Sequence, residues 1–383
     1  MPTERLSALD AFRGLTIMEM ILVNNPGTWS HVYAPLLHAD WDGLTPTDLV
    51  FPFFLFMVGV SIAFSLGKRL TAGTPKAELC KKVVFRAVKI YVVAMLLNFT
   101  LRYFFDNPIK SLADIRYIGV LHRIALVFLI CGLLYIYTNW KTQLAVCIAF
   151  LVGYAACLQC IPTPGFDGKV HLEAGRNITA WVDSYLIPGK TYRGPWNPNG
   201  DEPWEEDMLP WDPEGLFSTF PAVSSGLIGV FAGMLLLSKQ TQEKKILWLF
   251  FAGVLLSIGG YLWGLSFPIN KCLWSSSYVL ITSGFACLAL AACLFYIDLL
   301  GHKKIAYVPI VFGCNAITMY ILSDLLILVF YGGESGWNTQ TMNWMIANGA
   351  SAKLASMVYG ILFVAVNFIP AWLLYRMKIF IRL

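Results

Sequence analysis

A group of polar side chains that could perform acid–base chemistry lies near the start of the sequence. His38 is followed by Asp40, Trp41 and Asp42, and Asp48 comes a few positions later. Because an imidazole exchanges a proton near neutral pH, His38 is a candidate general base, and the nearby carboxylates are candidates to orient it. The alternative is a surface histidine, since a lone histidine in a loop is usually exposed and inert.

The apolar segment that precedes this group is itself unusually polar. Residues 10–26 include Asp10, Arg13, Glu19, Asn24 and Asn25. Ionisable groups are costly inside lipid and are candidates for function when they occur in a membrane span. The segment therefore predicts a helix that lines a cavity. For Asp10 and Arg13, which have i, i+3 spacing, an ion pair at the end of the helix is the alternative.

Basic and amide side chains also occur in later apolar segments. Arg123 lies too deep to reach a headgroup, so it binds an anionic ligand or pairs with a carboxylate such as Asp48. Arg86 and Lys89 either bind phosphates or extend to the headgroups of the inner leaflet. Asn315 belongs to a polar region of the ninth segment, where interhelical hydrogen bonds are the alternative to ligand binding.

These residues need a membrane-embedded framework. The 383 residues are 57% hydrophobic and 13% charged, with a mean hydropathy of +0.63. Soluble domains are about 25% charged. Because backbone polar groups must pair within each segment in lipid, continuous apolar runs of this kind predict helices. We expect an all-α, polytopic transmembrane bundle that forms one domain over residues 1–383.

Ten apolar runs are long enough to be candidate spans. They cover residues 10–26, 47–67, 83–101, 117–137, 142–161, 215–238, 246–265, 274–297, 305–330 and 354–376. Lys and Arg are concentrated in alternate loops, including both terminal segments. Because basic loops stay on the cytoplasmic side, both termini are predicted to be cytoplasmic. The chain would then be a multi-pass membrane protein, and His38 would lie outside.

One long connection, residues 162–214, is rich in Pro and Trp and would be periplasmic. Such a sequence favours turns and an aromatic surface. The surface could be a platform that stacks against sugar rings, or an aromatic belt that rests on lipid headgroups.

Several other classes of site are disfavoured by the sequence. The net charge of +5 comes from basic residues clustered between apolar runs, which indicates topology rather than binding to nucleic acid. The nine cysteines lie mostly within apolar runs, so no disulfide framework is expected. No His, Cys and carboxylate set has the spacing of metal ligands, and no phosphate-binding loop or nucleophile elbow occurs.

Short motifs add a resemblance over nearly the whole chain. The motifs are Leu9-Asp10-Ala11-Phe12-Arg13-Gly14, Val23-Asn24, His38-Ala39-Asp40-Trp41-Asp42-Gly43-Leu44-Thr45, Asp48-Leu49-Val50-Phe51-Pro52, Gly119-Val120-Leu121-His122-Arg123, Asp212-Pro213-Glu214-Gly215, Asn270-Lys271-Cys272-Leu273-Trp274-Ser275 and Gly313-Cys314-Asn315-Ala316. In this order they resemble the transmembrane heparan-α-glucosaminide N-acetyltransferase family and its bacterial homologues.

The resemblance implies transfer of acetyl from cytoplasmic acetyl-CoA to the amine of a terminal glucosamine across the membrane. It places the essential histidine of the family on His38, an asparagine near the acetyl group on Asn24, and a family arginine on Arg123. Two positions depart from the family pattern. His122 replaces a glutamine, and a late G-H-E reads as residues 322–324 here, so no second histidine is carried over.

Together, the residues and the resemblance predict a site with three parts. The catalytic residues would be His38, as base or acetyl carrier, with Asn24 and Asp48. The residues for acetyl-CoA would be Arg123, Arg86, Lys89 and Asn315. The residues for the amino sugar would be Asp42, Trp41 and Glu214. A transporter for amino sugars or muropeptides is the alternative, and a homodimer is compatible with the family although no sequence feature requires one.

Overall fold

The computed structural model describes residues 6–105, 114–194, 208–332 and 335–381, which form thirteen α-helices and no β-strand within these ranges. The first seven helices are α1 (Ser7–Asn24), α2 (Val50–Thr71), α3 (Lys76–Phe105), α4 (Val120–Tyr137), α5 (Trp140–Cys160), α6 (Ile178–Leu186) and α7 (Thr219–Leu237). The others are α8 (Gln242–Gly264), α9 (Ser276–Cys293), α10 (Tyr307–Gly313), α11 (Ala316–Phe330), α12 (Trp337–Ala347) and α13 (Ala352–Arg376). The prediction of an all-α protein is confirmed.

The number of membrane spans is smaller than predicted. Over the described ranges, eight helices are long and apolar enough to cross a membrane, namely α2, α3, α4, α5, α7, α8, α9 and α13. The pair α10 and α11 would make a ninth span, but it is bent by 86° at residues 314–315. The first of the ten predicted spans corresponds to α1, which carries Asp10, Arg13 and Glu19 and is not among these eight helices. The described ranges therefore contain eight or nine apolar spans, as a multi-pass membrane protein does.

Burial separates central helices from peripheral ones. The apolar windows of α2 and α7 are each 72% buried inside the protein, whereas only 17% of the α8 window is buried. Helix α8 instead exposes large apolar side chains, among them Leu247, Trp248, Phe251 and Tyr261. Exposure of such a large apolar surface to water is unfavourable, so this face of α8 indicates contact with lipid.

Glycines let the central helices approach closely. A Cβ on Gly229 of α7 would overlap the carbonyl oxygen of Phe56 in α2, and a Cβ on Gly59 would overlap that of Gly226. In lipid there is no hydrophobic driving force for helices to associate, so close backbone packing of this kind contributes much of the association between them. The α2–α7 pair therefore forms a rigid centre for the bundle.

Helix α1 lies within the bundle against several other helices. It crosses α10 at Gly14 and Gly313, where each glycine faces the backbone of the other helix. Near the start of α1, Arg13 forms an ion pair with Asp10 at 3.2 Å, which confirms the structural interpretation of this pair. One side of α1 lines an open groove of about 550 Å³ whose lining is mostly apolar, with Thr16 and Glu19 as its polar members, so the polar cavity expected along this segment stays a prediction. The α1 residues in its lining are Phe12, Leu15, Thr16, Met18, Glu19 and Leu22.

The connection between α5 and α7 folds back onto the bundle. It contains the short helix α6 and a small apolar cluster in which Trp41, Leu172 and Trp181 pack around Tyr154, Leu158 and Phe267. Residues 195–207 of this connection, with Trp196 and Trp204, lie outside the described residues. The sugar platform and the aromatic belt both stay open as predictions for its surface.

The packing of α2 against α7 predicts different effects of alanine at two glycines. Gly229→Ala should lower stability by about 1–3 kcal/mol, because its Cβ overlaps the Phe56 backbone and the helices must separate. Gly153→Ala in α5 is the matched control, since no other atom lies within 4 Å of its Cβ position. Thermal unfolding in detergent checks this, and equal midpoints for the two variants would contradict the packing assigned to α2 and α7.

Candidate active site

A short hydrogen-bonded loop positions His38. A 3-10 turn at Pro46–Leu49 precedes α2, and Thr45 caps it with a reciprocal pair of hydrogen bonds to Asp48. Such a capping box fixes the direction in which the chain enters the helix. As a result the Asp48 carboxylate turns back toward the loop that begins at His38.

The carboxylate of Asp48 binds the imidazole of His38 directly. Its Oδ1 lies 2.7 Å from His38 Nδ1. Its Oδ2 accepts the backbone N–H of Ala39 at 3.1 Å, the backbone N–H of Thr45 at 3.0 Å and the Thr45 hydroxyl at 3.0 Å. Asp48 is 1% exposed and His38 is exposed. With Nδ1 donating to the carboxylate, Nε2 carries the lone pair that a general base needs.

Lys271 also contacts His38, and sequence reasoning gave it no role. Its Nζ lies 2.9 Å from Nε2 and 3.0 Å from Nδ1 of His38, and 3.9 Å from Oδ1 of Asp48. Burial lowers the pKa of Lys271, and Asp48 offsets this only in part. The residue was visible in the motif of residues 270–275, but the spacing along the chain did not connect it with His38.

Backbone pairing holds the Lys271 loop against the His38 loop. The N–H of Gly43 donates to the carbonyl of Ile269 at 2.7 Å. The Asn270 side chain donates to Asp42 Oδ1 at 3.0 Å and accepts the N–H of Leu273 at 2.8 Å. Asp42, predicted to bind sugar or orient His38, thus fixes one loop to the other, and the contact with the imidazole is made by Asp48.

Trp41 connects the His38 loop to the α5–α7 connection. Its indole N–H donates to the carbonyl of Leu172 at 3.1 Å. Its ring meets Trp211 edge-on, with the centroids 5.3 Å apart. Trp41 is half-buried, so only part of its side chain is accessible for the predicted contact with a sugar.

Glu214 has an ionic partner within the protein. Arg116 binds Asp212 through Nε at 2.8 Å and Nη2 at 2.7 Å, and the same Nη2 lies 2.6 Å from Glu214. Burial would lower the pKa of Arg116, but the two carboxylates raise it above its ordinary value. This ionic cluster connects the segment before α4 to the segment before α7, and Glu214 is one of the residues that form the connection.

Arg123 binds backbone and side-chain groups at the start of α7. It is fully buried, donates to the Gly215 carbonyl at 2.9 Å and to the hydroxyl of Ser218, and lies over the ring of Trp274. Of the two alternatives for Arg123, an ion pair with Asp48 is not among its described contacts, and the binding of an anionic ligand stays a prediction. An arginine can satisfy its charge with carbonyl and π-face partners, which the sequence does not reveal.

The other predicted residues lie apart from the His38 group. Asn24 is the exposed last residue of α1, and no described hydrogen bond joins it to His38. Arg86 lies on α3 with its guanidinium 4.8 Å from the centroid of the Phe128 ring, and Lys89 is half-buried one turn further along. The Asn315 amide donates to the carbonyl of Ile379 at 3.0 Å and accepts the N–H of Ile381 at 2.8 Å. Their roles toward acetyl-CoA stay predictions.

Comparison with known proteins identifies the family that this site resembles. Residues 5–167 match the model of the catalytic region of heparan-alpha-glucosaminide N-acetyltransferases. The family resemblance predicted from the motifs is confirmed. Over 98% of the chain, it is 27% identical to the mouse heparan-alpha-glucosaminide N-acetyltransferase and 26% identical to the human one. The chain spans about 60% of the length of these two relatives. His38, Asp48 and Arg123 lie in the matched region, and Lys271 lies beyond it.

Asp183 is a second buried carboxylate near Arg123. It lies on α6, is 0% exposed, and its Oδ1 accepts the N–H of Phe217 at 3.0 Å. No hydrogen bond to a described residue satisfies its Oδ2. Burial raises the pKa of Asp183 to about 7. The folded protein therefore holds a proton on this group at pH values where the unfolded chain has released it.

This difference predicts how stability depends on pH. The folded pKa is raised, so between about pH 4 and pH 7 stability falls as pH rises, and the loss persists above pH 7. Asp183→Asn keeps an acceptor for Phe217 and carries no charge. The unfolding temperature of Asp183→Asn minus that of the native protein should therefore be larger at pH 8 than at pH 5. A difference that stays constant between the two pH values would contradict the assignment.

Proposed function

We propose that this protein transfers acetyl from acetyl-CoA to the amine of a terminal glucosamine or glucosaminide. The observation that carries the proposal is the His38–Asp48 pair, which presents an exposed imidazole on a buried carboxylate. Support comes from the match of this part of the chain to the catalytic region of the N-acetyltransferases. The function is that of an acyltransferase embedded in a membrane.

The chemistry needs a base for the acceptor amine. A glucosamine amine is largely protonated at neutral pH, and only its neutral form attacks a thioester. In the proposed reaction His38 Nε2 first takes a proton from the ammonium group and releases it to water. The neutral nitrogen then bonds to the carbonyl carbon, His38 Nε2 takes the second proton from it, and the carbon–sulfur bond breaks. Asp48 stabilises the imidazolium, and the proton then passes to the thiolate of CoA. A variant route, in which His38 first carries the acetyl group, uses the same residues.

The two substrates are proposed to approach from opposite sides. If both termini are cytoplasmic, α1 runs from the cytoplasm toward the His38 loop. The groove along α1 is then the proposed place for the pantetheine arm of acetyl-CoA. Arg86 and Lys89, near the cytoplasmic half of α3, are proposed to bind its phosphates. In a bacterium this would be the inner membrane, with the amino sugar in the periplasm.

The acceptor sugar is proposed to bind beside His38. Asp42 is exposed next to the half-buried ring of Trp41, so a carboxylate and an aromatic face are adjacent there. This pairing suits sugar hydroxyls and pyranose C–H groups. Glu214 is bound to Arg116, so its proposed part is to hold the framework of this side rather than the sugar.

Transport without chemistry is the second candidate, and one observation favours it. Helices α10 and α11 are bent by 86° at residues 314–315. Broken helices of this kind form substrate sites in many secondary transporters. A transporter of amino sugars would have no reason to bind acetyl-CoA.

Replacement of His38 tests the acetyl transfer. His38→Ala should lower the rate of acetyl transfer from labelled acetyl-CoA to glucosamine by about 10²–10⁴-fold, because the amine loses its base. His31→Ala is the matched control, since His31 is an exposed histidine in the same loop region and should leave the rate unchanged. Transfer by the His38→Ala protein at the native rate would exclude His38 as the base.

Binding of CoA separates the enzyme from the transporter. We expect CoA at millimolar concentration to raise the unfolding temperature of the purified protein, because a ligand that binds only the folded state stabilises it. A CoA-independent unfolding temperature, together with glucosamine uptake into proteoliposomes, would favour the transporter.

A further inference from the structure

The amine of Lys271 lies within hydrogen-bond distance of the imidazole that would deprotonate an acceptor amine. Its Nζ is 2.9 Å from Nε2 of His38, the nitrogen that would accept the proton, and 3.0 Å from Nδ1. A general base must lie within hydrogen-bond distance of the proton that it removes. The protein therefore presents an amine of its own to the proposed base.

The surroundings of Lys271 favour a reactive amine. Its side chain is 19% exposed, and His38 and Asp48 lie beside it, with Oδ1 of Asp48 at 3.9 Å from Nζ. Cys272 and Glu214 also act on its charge. Burial lowers the pKa of Lys271, so its neutral form is more accessible than that of a solvated lysine. Lys353, at the start of α13, is exposed and offers a comparison within the same chain.

We propose that Lys271 is an acetylation site of the protein's own transfer centre, modified by acetyl-CoA when no amino sugar is bound. This inference rests on the proposed acetyl transfer. The Lys271 nitrogen bonds to the thioester carbonyl carbon, and the carbon–sulfur bond breaks. The proton released from the nitrogen passes through His38 Nε2 to the thiolate, which leaves as CoA. The product is an amide on Lys271 and free CoA.

The modification would block the site on which it forms. An acetyl-lysine amide has no basic lone pair and is stable in water, so His38 cannot easily reverse the step. The acetyl group would also fill the space beside Nε2 that a sugar amine needs. Incubation with acetyl-CoA alone should therefore inactivate the protein over time, and an amino sugar should protect it.

Peptide mapping tests this on the purified full-length chain. The protein in detergent is incubated with isotopically labelled acetyl-CoA, with and without glucosamine, and every lysine is followed by mass spectrometry. We expect Lys271 to be acetylated about tenfold faster than Lys353, because only Lys271 has a neighbouring base and a fixed position. Glucosamine should slow the labelling of Lys271 and leave that of Lys353 unchanged.

Three variants identify the origin of the label. Lys271→Arg and His38→Ala should lose the fast labelling, whereas Lys353→Arg should keep it. Elution as a single species in size-exclusion chromatography verifies that each variant is folded. Equal labelling of Lys271 and Lys353 in the native protein, or fast labelling of Lys271 in His38→Ala, would overturn the inference.

Parallel measurement of sugar acetylation keeps the two proposals distinct. A protein that acetylates glucosamine while Lys271 stays unlabelled would refute the inference alone. A protein that neither acetylates glucosamine nor labels Lys271 would refute the proposed function, and the inference with it.

Discussion

The buried carboxylate of Asp48 is the constraint on which the candidate site depends. A charge removed from water must be compensated by hydrogen bonds, and Asp48 receives them from Ala39, Thr45 and His38. Its own carbonyl accepts the hydroxyl of Tyr278 at 2.6 Å, which ties the loop to α9. The need to satisfy one carboxylate thus fixes the imidazole and the entry into α2 together.

Close helix packing supplies the frame around this carboxylate. Gly59 and Gly229 bring α2 against α7, and α2 begins two residues after Asp48. The segment before α7 is joined to the segment before α4 by Arg116 and Glu214. A movement of any one of these helices would shift the loops at this end, so the polar contacts and the helix packing depend on each other.

The sequence predicted the features that depend on neighbouring residues. Hydropathy located the helices, and the i, i+3 spacing predicted the Asp10–Arg13 ion pair. It overstated the number of apolar spans for two reasons. The first predicted span is the charged helix α1, and hydropathy does not reveal the 86° bend at residues 314–315. It also left the partners of Arg123 open. A buried arginine requires partners, but its sequence position does not say whether these are carboxylates or the carbonyls of another helix.

By itself, the sequence determined an all-α membrane bundle, a polar first helix and a loop in which His38 and Asp48 are near each other along the chain. These follow from local periodicity and short loops. Only the tertiary structure brought Lys271 to His38 across 233 positions, and Glu214 to Arg116 across 98. Contacts between distant segments arise from how whole helices pack, and no local pattern encodes that packing.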